Sequence, residues 1–439
     1  MITIIAFFFV LSLLVIVHEL GHYTVAKLGG ISVQRFSIGY PPRLFGIQIG
    51  ETDYCISAIP FGGYVKLAGQ EDFGKEEEYD YKPNDYRGKS TPVKIAVLVA
   101  GSLMNIFAAI VIFALLFFFN GVPESTNVIG DVEPDTLAYE MGLRAGDEVV
   151  KVQGKEVKGF DDILLPLYMD DNVTITVKTL EQERILTAPR KLEQNEDFGA
   201  SPFYEAIVDN VLSESPAEKA GFLPGDVIVK IEDEEINGWH HMSKVVRANP
   251  DREKVFALMR GESEIYIPVL IGHTTQNMPD GTRQTVGRIG VSLHIPTREV
   301  GLIESSILAV KNTAFLAVHM LDFLGRLITG RVSTKLLGGP VMIAQMAGES
   351  AKTGFTTLMG FTAFISINLG VLNLLPFPVL DGGHIFILLT EAIVRRKLSV
   401  KVRFAIQQTG MLLLLLLMLY ITFNDIMRFE TISKLFGGG

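Results

Sequence analysis

The stretch VIVHELGHYTVAK, Val15 to Lys27, closes an apolar run that begins at residue 1. Ionisable side chains are costly in hydrocarbon, so two histidines and a glutamate there indicate chemistry. His18 and His22 are four residues apart, share one face of a helix and can bind one metal ion. Glu19 projects beside them and is placed to act as a base on water rather than as a ligand. The alternative is a polar pair satisfied by hydrogen bonds between helices.

A catalytic zinc ion needs a third protein ligand and an open position for water. The candidate segment is NLLPFPVLDGGH, residues 373–384, where Pro376 and Pro378 predict that the helical backbone opens. Asp381 is an isolated carboxylate in this apolar segment and would need a cation, which zinc supplies. His384, three residues further on, is a rival ligand by chemistry alone.

The composition excludes several classes of protein. The chain has 439 residues, of which 48% are hydrophobic, and this is too apolar for an ordinary soluble protein. Its formal charge of −10 argues against nucleic acid as a partner, because phosphate binding needs a basic face. The single cysteine, Cys55, excludes an internal disulfide framework and a cysteine-based zinc site.

The hydropathy pattern predicts a multi-domain, polytopic α-helical membrane protein with four transmembrane helices, since a span needs about 20 mostly apolar residues. A cleaved signal peptide is the alternative for the first segment, which lacks a basic start and a small-residue cleavage site. The predicted spans are residues 1–27, 93–120, 355–393 and 403–424.

The loop VRRKLSVKVR, between the third and fourth spans, sets the predicted orientation. Its cluster of arginines and lysines predicts a cytoplasmic loop. Four spans then place residues 28–92 on the cytoplasmic side, and both termini, the tail 425–439 and the long region 120–354 on the other side, which in a bacterium is the periplasm. HELGH and Asp381 both fall toward the cytoplasmic face of the bilayer.

The long region contains an internal duplication. AYEMGLRAGDEVVKVQGKEVKGF (Ala138–Phe160) aligns without a gap to AEKAGFLPGDVIVKIEDEEINGW (Ala217–Trp239). Each unit predicts a short helix, a Gly-Asp turn and a β-branched strand, so we expect two small α+β domains at 124–203 and 204–298. The pattern resembles the PDZ domains of bacterial proteases, which implies grooves that bind extended peptides by strand addition. Two β-rich spacers without a ligand are the alternative.

Two further segments lie near the predicted spans. Residues 300–350 predict an amphipathic helix in the membrane interface and a linker, although a fifth span is possible there. GSLMN, residues 101–105, has small-xxx-polar spacing and predicts a helix-packing face rather than a catalytic element.

The loop IPFGGYVKLAG, residues 59–69, favours an extended chain with close backbone approach. We interpret it as a re-entrant β element that pairs with an unwound substrate, and an ordinary cytoplasmic β-hairpin is the alternative. The residues expected to contact substrate are Phe61, Gly62, Gly63, Tyr64 and Val65.

HELGH in a first span and NxxPxPxLDG in a later one resemble the site-2 protease family, and GSLMN and FGGYVKL strengthen the resemblance. The resemblance implies His18, His22 and Asp381 as ligands of Zn²⁺ and Glu19 as the catalytic base. It also implies that Asn373 holds the substrate, and it favours Asp381 over His384.

The resemblance further implies a zinc metalloendopeptidase of a bacterial inner membrane, acting in regulated intramembrane proteolysis and a stress response. Its substrates would be single-span proteins, namely an anti-sigma factor after a first cleavage and leftover signal peptides, with the PDZ pair gating their access. A membrane-anchored PDZ adaptor with a structural metal is the competing function. An ion transporter is disfavoured, because the spans lack inverted repeats.

Overall fold

The computed structural model describes residues 2–69, 82–179, 182–192, 196–277, 283–330, 334, 337–396 and 398–427. The chain divides into two compact units, one of residues 1–120 and 300–439 and the other of residues 121–299. The predicted tail 425–439 lies mostly outside the described residues.

The first stretch of the first unit holds two long helices around a β element. Its elements are α1 (Ile2–Leu28), β1 (Val33–Ile49), β2 (Thr52–Leu67), a short 3-10 helix (Tyr86–Gly88) and α2 (Thr91–Asn120).

The second unit consists of short strands and four short helices. In chain order they are β3 (Val122–Pro123), β4 (Ile129–Val132), α3 (Leu137–Glu140), β5 (Glu148–Val152), β6 (Lys155–Glu156), α4 (Asp161–Met169), β7 (Thr174–Thr179), β8 (Gln182–Thr187), β9 (Ala200–Pro202), β10 (Val208–Val211), α5 (Pro216–Ala220), β11 (Val227–Ile231), β12 (Glu234–Glu235), α6 (Trp239–Arg247), β13 (Glu253–Arg260), β14 (Ser263–Leu270), β15 (Gly272–Asn277), β16 (Arg283–Arg288), β17 (Val291–Leu293) and β18 (Thr297–Arg298).

The chain then returns to the first unit, whose remaining described residues are mostly helical. The helices are α7 (Leu302–Ile328), α8 (Pro340–Thr353), α9 (Phe355–Asn373), α10 (Asp381–Val394) and α11 (Val400–Met427).

Five described helices, α1, α2, α7, α9 and α11, are long and apolar enough to cross a membrane. Large apolar side chains remain exposed along them, as expected for helices that face lipid. The sequence predicts four spans and assigns the region of α7 to the membrane interface. Because α7 also has the length and composition of a span and packs against α2 and α9, the count of four stays a prediction.

The third predicted span consists of two helices. Helix α9 ends at Asn373 and α10 begins at Asp381, so the segment with Pro376 and Pro378 is non-helical. Proline cannot donate the backbone hydrogen bond that continues a helix, which explains why the backbone opens here.

The β element of the first unit extends well beyond the predicted residues 59–69. Residues 33–38 pair with both 63–67 and 53–56, and residues 43–49 pair back with 52–57. Two long irregular strands therefore build a small sheet of four segments, and residues 63–67 form one of its segments. The prediction missed the part contributed by β1, whose polar and proline-containing sequence lacks a clean two-residue period.

The duplicated sequence folds into two matching halves of the second unit. Their four-stranded sheets have corresponding orders, β6-β5-β7-β8 and β12-β11-β13-β14. Each half has its own apolar core, centred on residues such as Ile163 and Ile175 in the first half and Ile228 and Phe256 in the second.

Candidate metal centre

Three predicted ligands meet in the first unit. His18 and His22 lie one turn apart on α1, and their Nε2 atoms are 3.1 Å apart. Oδ2 of Asp381, the first residue of α10, lies 3.3 Å from His18 Nε2 and 3.5 Å from His22 Nε2. The three side chains are largely buried, with exposed fractions between 12% and 17%. Among the described residues, this is the cluster of histidine and acidic side chains that could hold a metal ion.

The donor set fits zinc. Zinc is bound by imidazole nitrogen and carboxylate oxygen at about 2.0–2.1 Å, and tetrahedral angles then place two ligand atoms about 3.3–3.4 Å apart. The three observed separations lie close to this value. Asp381 Oδ2 is also buried without a hydrogen-bond partner. A buried carboxylate oxygen needs a cation or a donor, and a metal ion among these atoms would satisfy it.

The local sequence explains how Asp381 reaches this position. The backbone turns through residues 374–380 and re-enters a helix at Asp381, whose carboxylate is favoured at a helix N-terminus. Gly382 and Gly383 fit tightly beneath this turn, since a Cβ at either would lie 2.2 Å from the Leu374 oxygen or 2.0 Å from the Phe377 oxygen. The DGG sequence thus packs α10 against its own preceding turn.

Helix α2 supports the two imidazoles from behind. His22 Nδ1 donates to the carbonyl oxygen of Val97 at 2.7 Å, which leaves Nε2 directed at Asp381. A Cβ at Gly101 would lie 2.5 Å from His22 Nε2 and 2.7 Å from His18 Cε1. Asn105 places its amide 3.4 Å from His18 Nδ1. The α2 surface is therefore shaped around both rings.

Glu19 lies beside the cluster and against the β element. Gly63 makes this approach possible, because a Cβ there would lie 3.3 Å from Glu19 Cγ and 2.7 Å from the Ser37 oxygen. The predicted base and the segment 63–67 are thus neighbours.

The other predicted residues are more spread out. Asn373 ends α9 and is half-buried. Tyr64 accepts a hydrogen bond from Arg35 Nη1 at 3.1 Å and stacks on Tyr40. Gly62 has a φ of +135° and faces the Tyr40 ring. Phe61 lies in β2, and the structure does not describe its side chain.

His384, the rival ligand, is absent from the metal-binding cluster of the described residues. It lies one turn into α10, and its backbone N–H bonds to Leu380. Two neighbours of the histidines, Gly101 and Asn105, were predicted from the sequence to serve only helix packing. Their four-residue spacing matches that of His18 and His22, and this signal points to one shared helix face.

Comparison with known proteins agrees with this geometry. The profile of peptidase family M50 matches residues 6–417. The regulator of sigma-E protease RseP of Escherichia coli is 32% identical over 449 residues, covering 96% of this chain and 98% of that protein. A protein of Neisseria meningitidis that is provisionally named a zinc metalloprotease is 32% identical over 453 residues, covering 97% of this chain and 99% of that protein. The protease RseP of Yersinia pestis is 32% identical over 447 residues, covering 96% and 98%.

Proposed function

This chain belongs to peptidase family M50, the site-2 proteases, and we propose that it is a zinc metalloprotease that cleaves a peptide bond within the membrane. The proposed substrates are single-span membrane proteins. They include an anti-sigma factor after a first cleavage and the remnants of signal peptides. The proposed location is a bacterial inner membrane, with the active site toward the cytoplasmic face.

One observation carries the proposal. Two imidazole nitrogens and a carboxylate oxygen converge within 3.5 Å, and the carboxylate oxygen has no hydrogen-bond partner. Three protein ligands leave a fourth position for water, which is typical of catalytic rather than structural zinc. His18, His22 and Asp381 would hold the ion.

Glu19 would perform the proton transfers. When bound, zinc supplies a Lewis acid and lowers the pKa of a water molecule toward about 7. The Glu19 carboxylate would accept a proton from the attacking water and would later donate that proton to the leaving amine.

The segment 63–67 would present the substrate. A helical substrate cannot release its backbone hydrogen bonds into lipid without replacement partners. Residues 63–67 pair with 33–38, and Gly63 of this segment lies against the Glu19 side chain. A substrate strand added along this segment would therefore run beside the proposed base. Phe61 and Gly62 precede this segment in β2, and Tyr64 lies within it. Asn373 would hold the substrate from the end of α9.

The two repeats would act as PDZ domains that restrict access by bulky, untrimmed substrates. A cleft of about 360 Å³ in the second repeat supports this proposal. Its walls are α6, through Trp239, Met242 and Val246, and the β16–β17 segment, through Val286 and Val291. A cleft between a helix and a strand is the geometry in which PDZ domains add a peptide strand.

A membrane-anchored adaptor with a structural metal is the second candidate. It would use the same cleft and the same three ligands. The position of Glu19 argues against it, because a structural zinc site has no use for a further carboxylate beside its ligands.

The test is cleavage of a fluorescently labelled single-span substrate by the purified full chain, with and without a chelator. Glu19→Gln should keep stoichiometric zinc and lose cleavage by about 10²–10⁴-fold, the usual contribution of a general acid–base. His22→Ala should lose both zinc and cleavage. Cleavage by Glu19→Gln at more than a tenth of the wild-type rate would exclude the proposed mechanism.

Proline at Val65 tests the role of the β segment. Val65→Pro removes a backbone N–H from the segment 63–67 and should lower cleavage at least tenfold while zinc content stays at the wild-type level. Val65→Ala keeps the N–H and is the matched control, which should stay within about threefold of wild type. Equal activity of the two variants would favour an ordinary hairpin with no part in presentation.

A further inference from the structure

Three groups on α2 face the two imidazoles at four-residue intervals: the Val97 carbonyl, Gly101 and Asn105. The first accepts the Nδ1–H of His22, and the second leaves room for both rings. Asn105 faces the remaining ring nitrogen, Nδ1 of His18, at 3.4 Å. Asn105 therefore faces the Nδ1 atom of His18 in the same way that the Val97 carbonyl faces the Nδ1 atom of His22.

The hydrogen bonding of Asn105 is incomplete when its amide nitrogen faces His18. The side chain is completely buried, and its Oδ1 has no partner. A neutral imidazole that binds metal through Nε2 carries its proton on Nδ1 and is a donor there. Two donors would then face each other across 3.4 Å, which is unfavourable in a buried site.

A half-turn of the nearly isosteric Asn105 amide removes the contact between two donors. It exchanges Oδ1 and Nδ2, so that the oxygen faces the Nδ1–H of His18 and is no longer without a partner. The backbone of Asn105 is held meanwhile by α9, since Ser366 Oγ donates to its carbonyl oxygen at 2.7 Å. Helix α9 leads into the turn that carries Asp381, so Asn105 links His18 to the helix that precedes this turn.

We propose that Asn105 is a positioning residue for the metal centre: its side-chain oxygen accepts the Nδ1–H of His18 and so fixes the tautomer whose Nε2 binds the metal. This inference rests on the proposed zinc site. Partners of this kind orient the ligand and raise its basicity, and their loss typically weakens metal binding about 10–100-fold.

Equilibrium zinc affinity of the full chain in detergent, measured by competition with a chromophoric chelator, tests the proposal. Asn105→Leu keeps the side-chain volume without an acceptor and should bind zinc about 10–100-fold more weakly than wild type. Asn105→Asp keeps an acceptor oxygen and should stay within about threefold. Ser102→Ala, which changes a buried hydroxyl on the same helix, is the control and should bind like wild type.

A second measurement keeps the proposal testable if Asn105→Leu does not fold. In wild-type protein with labelled histidines and cadmium-113 in place of zinc, ¹⁵N spectra show which ring nitrogen of each ligand binds the metal. We expect Nε2 for both, and an Nδ1–H signal of His18 that moves in Asn105→Asp. Binding through Nδ1, or a signal that does not move, would overturn the proposal.

The outcomes separate the two levels of the argument. The proposed function fails if the wild-type protein binds no zinc, or if its zinc binding is unaffected by His22→Ala. If that site exists but Asn105→Leu binds zinc as tightly as wild type, only the role of Asn105 fails.

Discussion

Buried aspartates in the two units of the chain are satisfied in opposite ways. In the repeats, Asp147 and Asp226 follow the glycine of each Gly-Asp turn, and both are at most 1% exposed. Arg184 Nη2 lies 2.6 Å from Asp147, and Arg260 Nε lies 2.7 Å from Asp226. Asp381 is also largely buried, yet it faces two imidazoles that are cationic only when protonated.

This difference separates a structural carboxylate from one that recruits a ligand. In each repeat an arginine of the same chain neutralises the buried aspartate, and the two arginines come from different strands in the two copies. These ion pairs are therefore part of the folded structure. At Asp381 the oxygen without a partner requires a cation from outside the chain. Burial alone does not identify the metal site; the nature of the partner does.

Removal of the two kinds of carboxylate should therefore have different effects. Asp381→Asn removes one of three zinc ligands and should weaken zinc binding by about 10³-fold. This factor corresponds to a loss of roughly a third of the binding free energy of a zinc site. Asp226→Asn should leave zinc affinity unchanged. Chelator competition on both variants checks this, and an Asp381→Asn protein with wild-type affinity would contradict the comparison.

Gly101→Ala tests the space that α2 leaves for the rings. Its Cβ would lie 2.5 Å from His22 Nε2, so the imidazole must move from its present position. We expect zinc affinity to fall about tenfold, at the lower end of the effect of misoriented ligands. Gly325→Ala on α7, where a Cβ meets no atom within 4 Å, is the matched control. Equal affinities for the two variants would show that the close fit at Gly101 is unimportant.

Arg260→Met should lower the stability of the second repeat and leave zinc binding intact. It leaves the Asp226 charge buried with only the Leu223 N–H as donor. Since Arg260 is itself partly exposed, we expect a loss of about 1–2 kcal/mol in the free energy of unfolding. Trp239, the single tryptophan of the chain, lies in α6 and reports this transition by fluorescence in urea. Arg247→Met, on the same repeat but distant in sequence from the pair, serves as control.

The smallest expected effect is that of acid on the same repeat. Burial raises the pKa of Asp226, but the hydrogen bond from Arg260 and that from the Leu223 N–H outweigh it, and the pKa lies below its usual value. The unfolded aspartate binds its proton more tightly, so this stabilisation is complete above about pH 4 and is lost as the pH falls through the folded pKa. Unfolding followed by Trp239 between about pH 5 and 2 should show this loss. The free energy of unfolding of Arg260→Met should decrease less over the same pH range.

Local patterns predicted several parts of the fold correctly. The repeat is visible because both copies keep the same short-range pattern, and the sheets have corresponding strand orders. The break in the third span follows from Pro376 and Pro378, whose effect on a helix is local. The family resemblance is confirmed by the match over residues 6–417. Residues 33–49 were missed as strand, because their pairing is irregular and depends on partners further along the chain.

The sequence by itself determined that His18 and His22 share one face of a helix with Glu19 beside them, because spacing fixes the face of a helix. By ligand chemistry alone it left Asp381 and His384 as rivals, with only the family resemblance favouring Asp381, and it assigned Gly101 and Asn105 to packing. Only the tertiary structure decided these points, because α2 and the turn before α10 bring distant parts of the chain against one pair of rings. A side chain's distance to atoms far along the chain depends on how whole helices pack, and no local spacing encodes that.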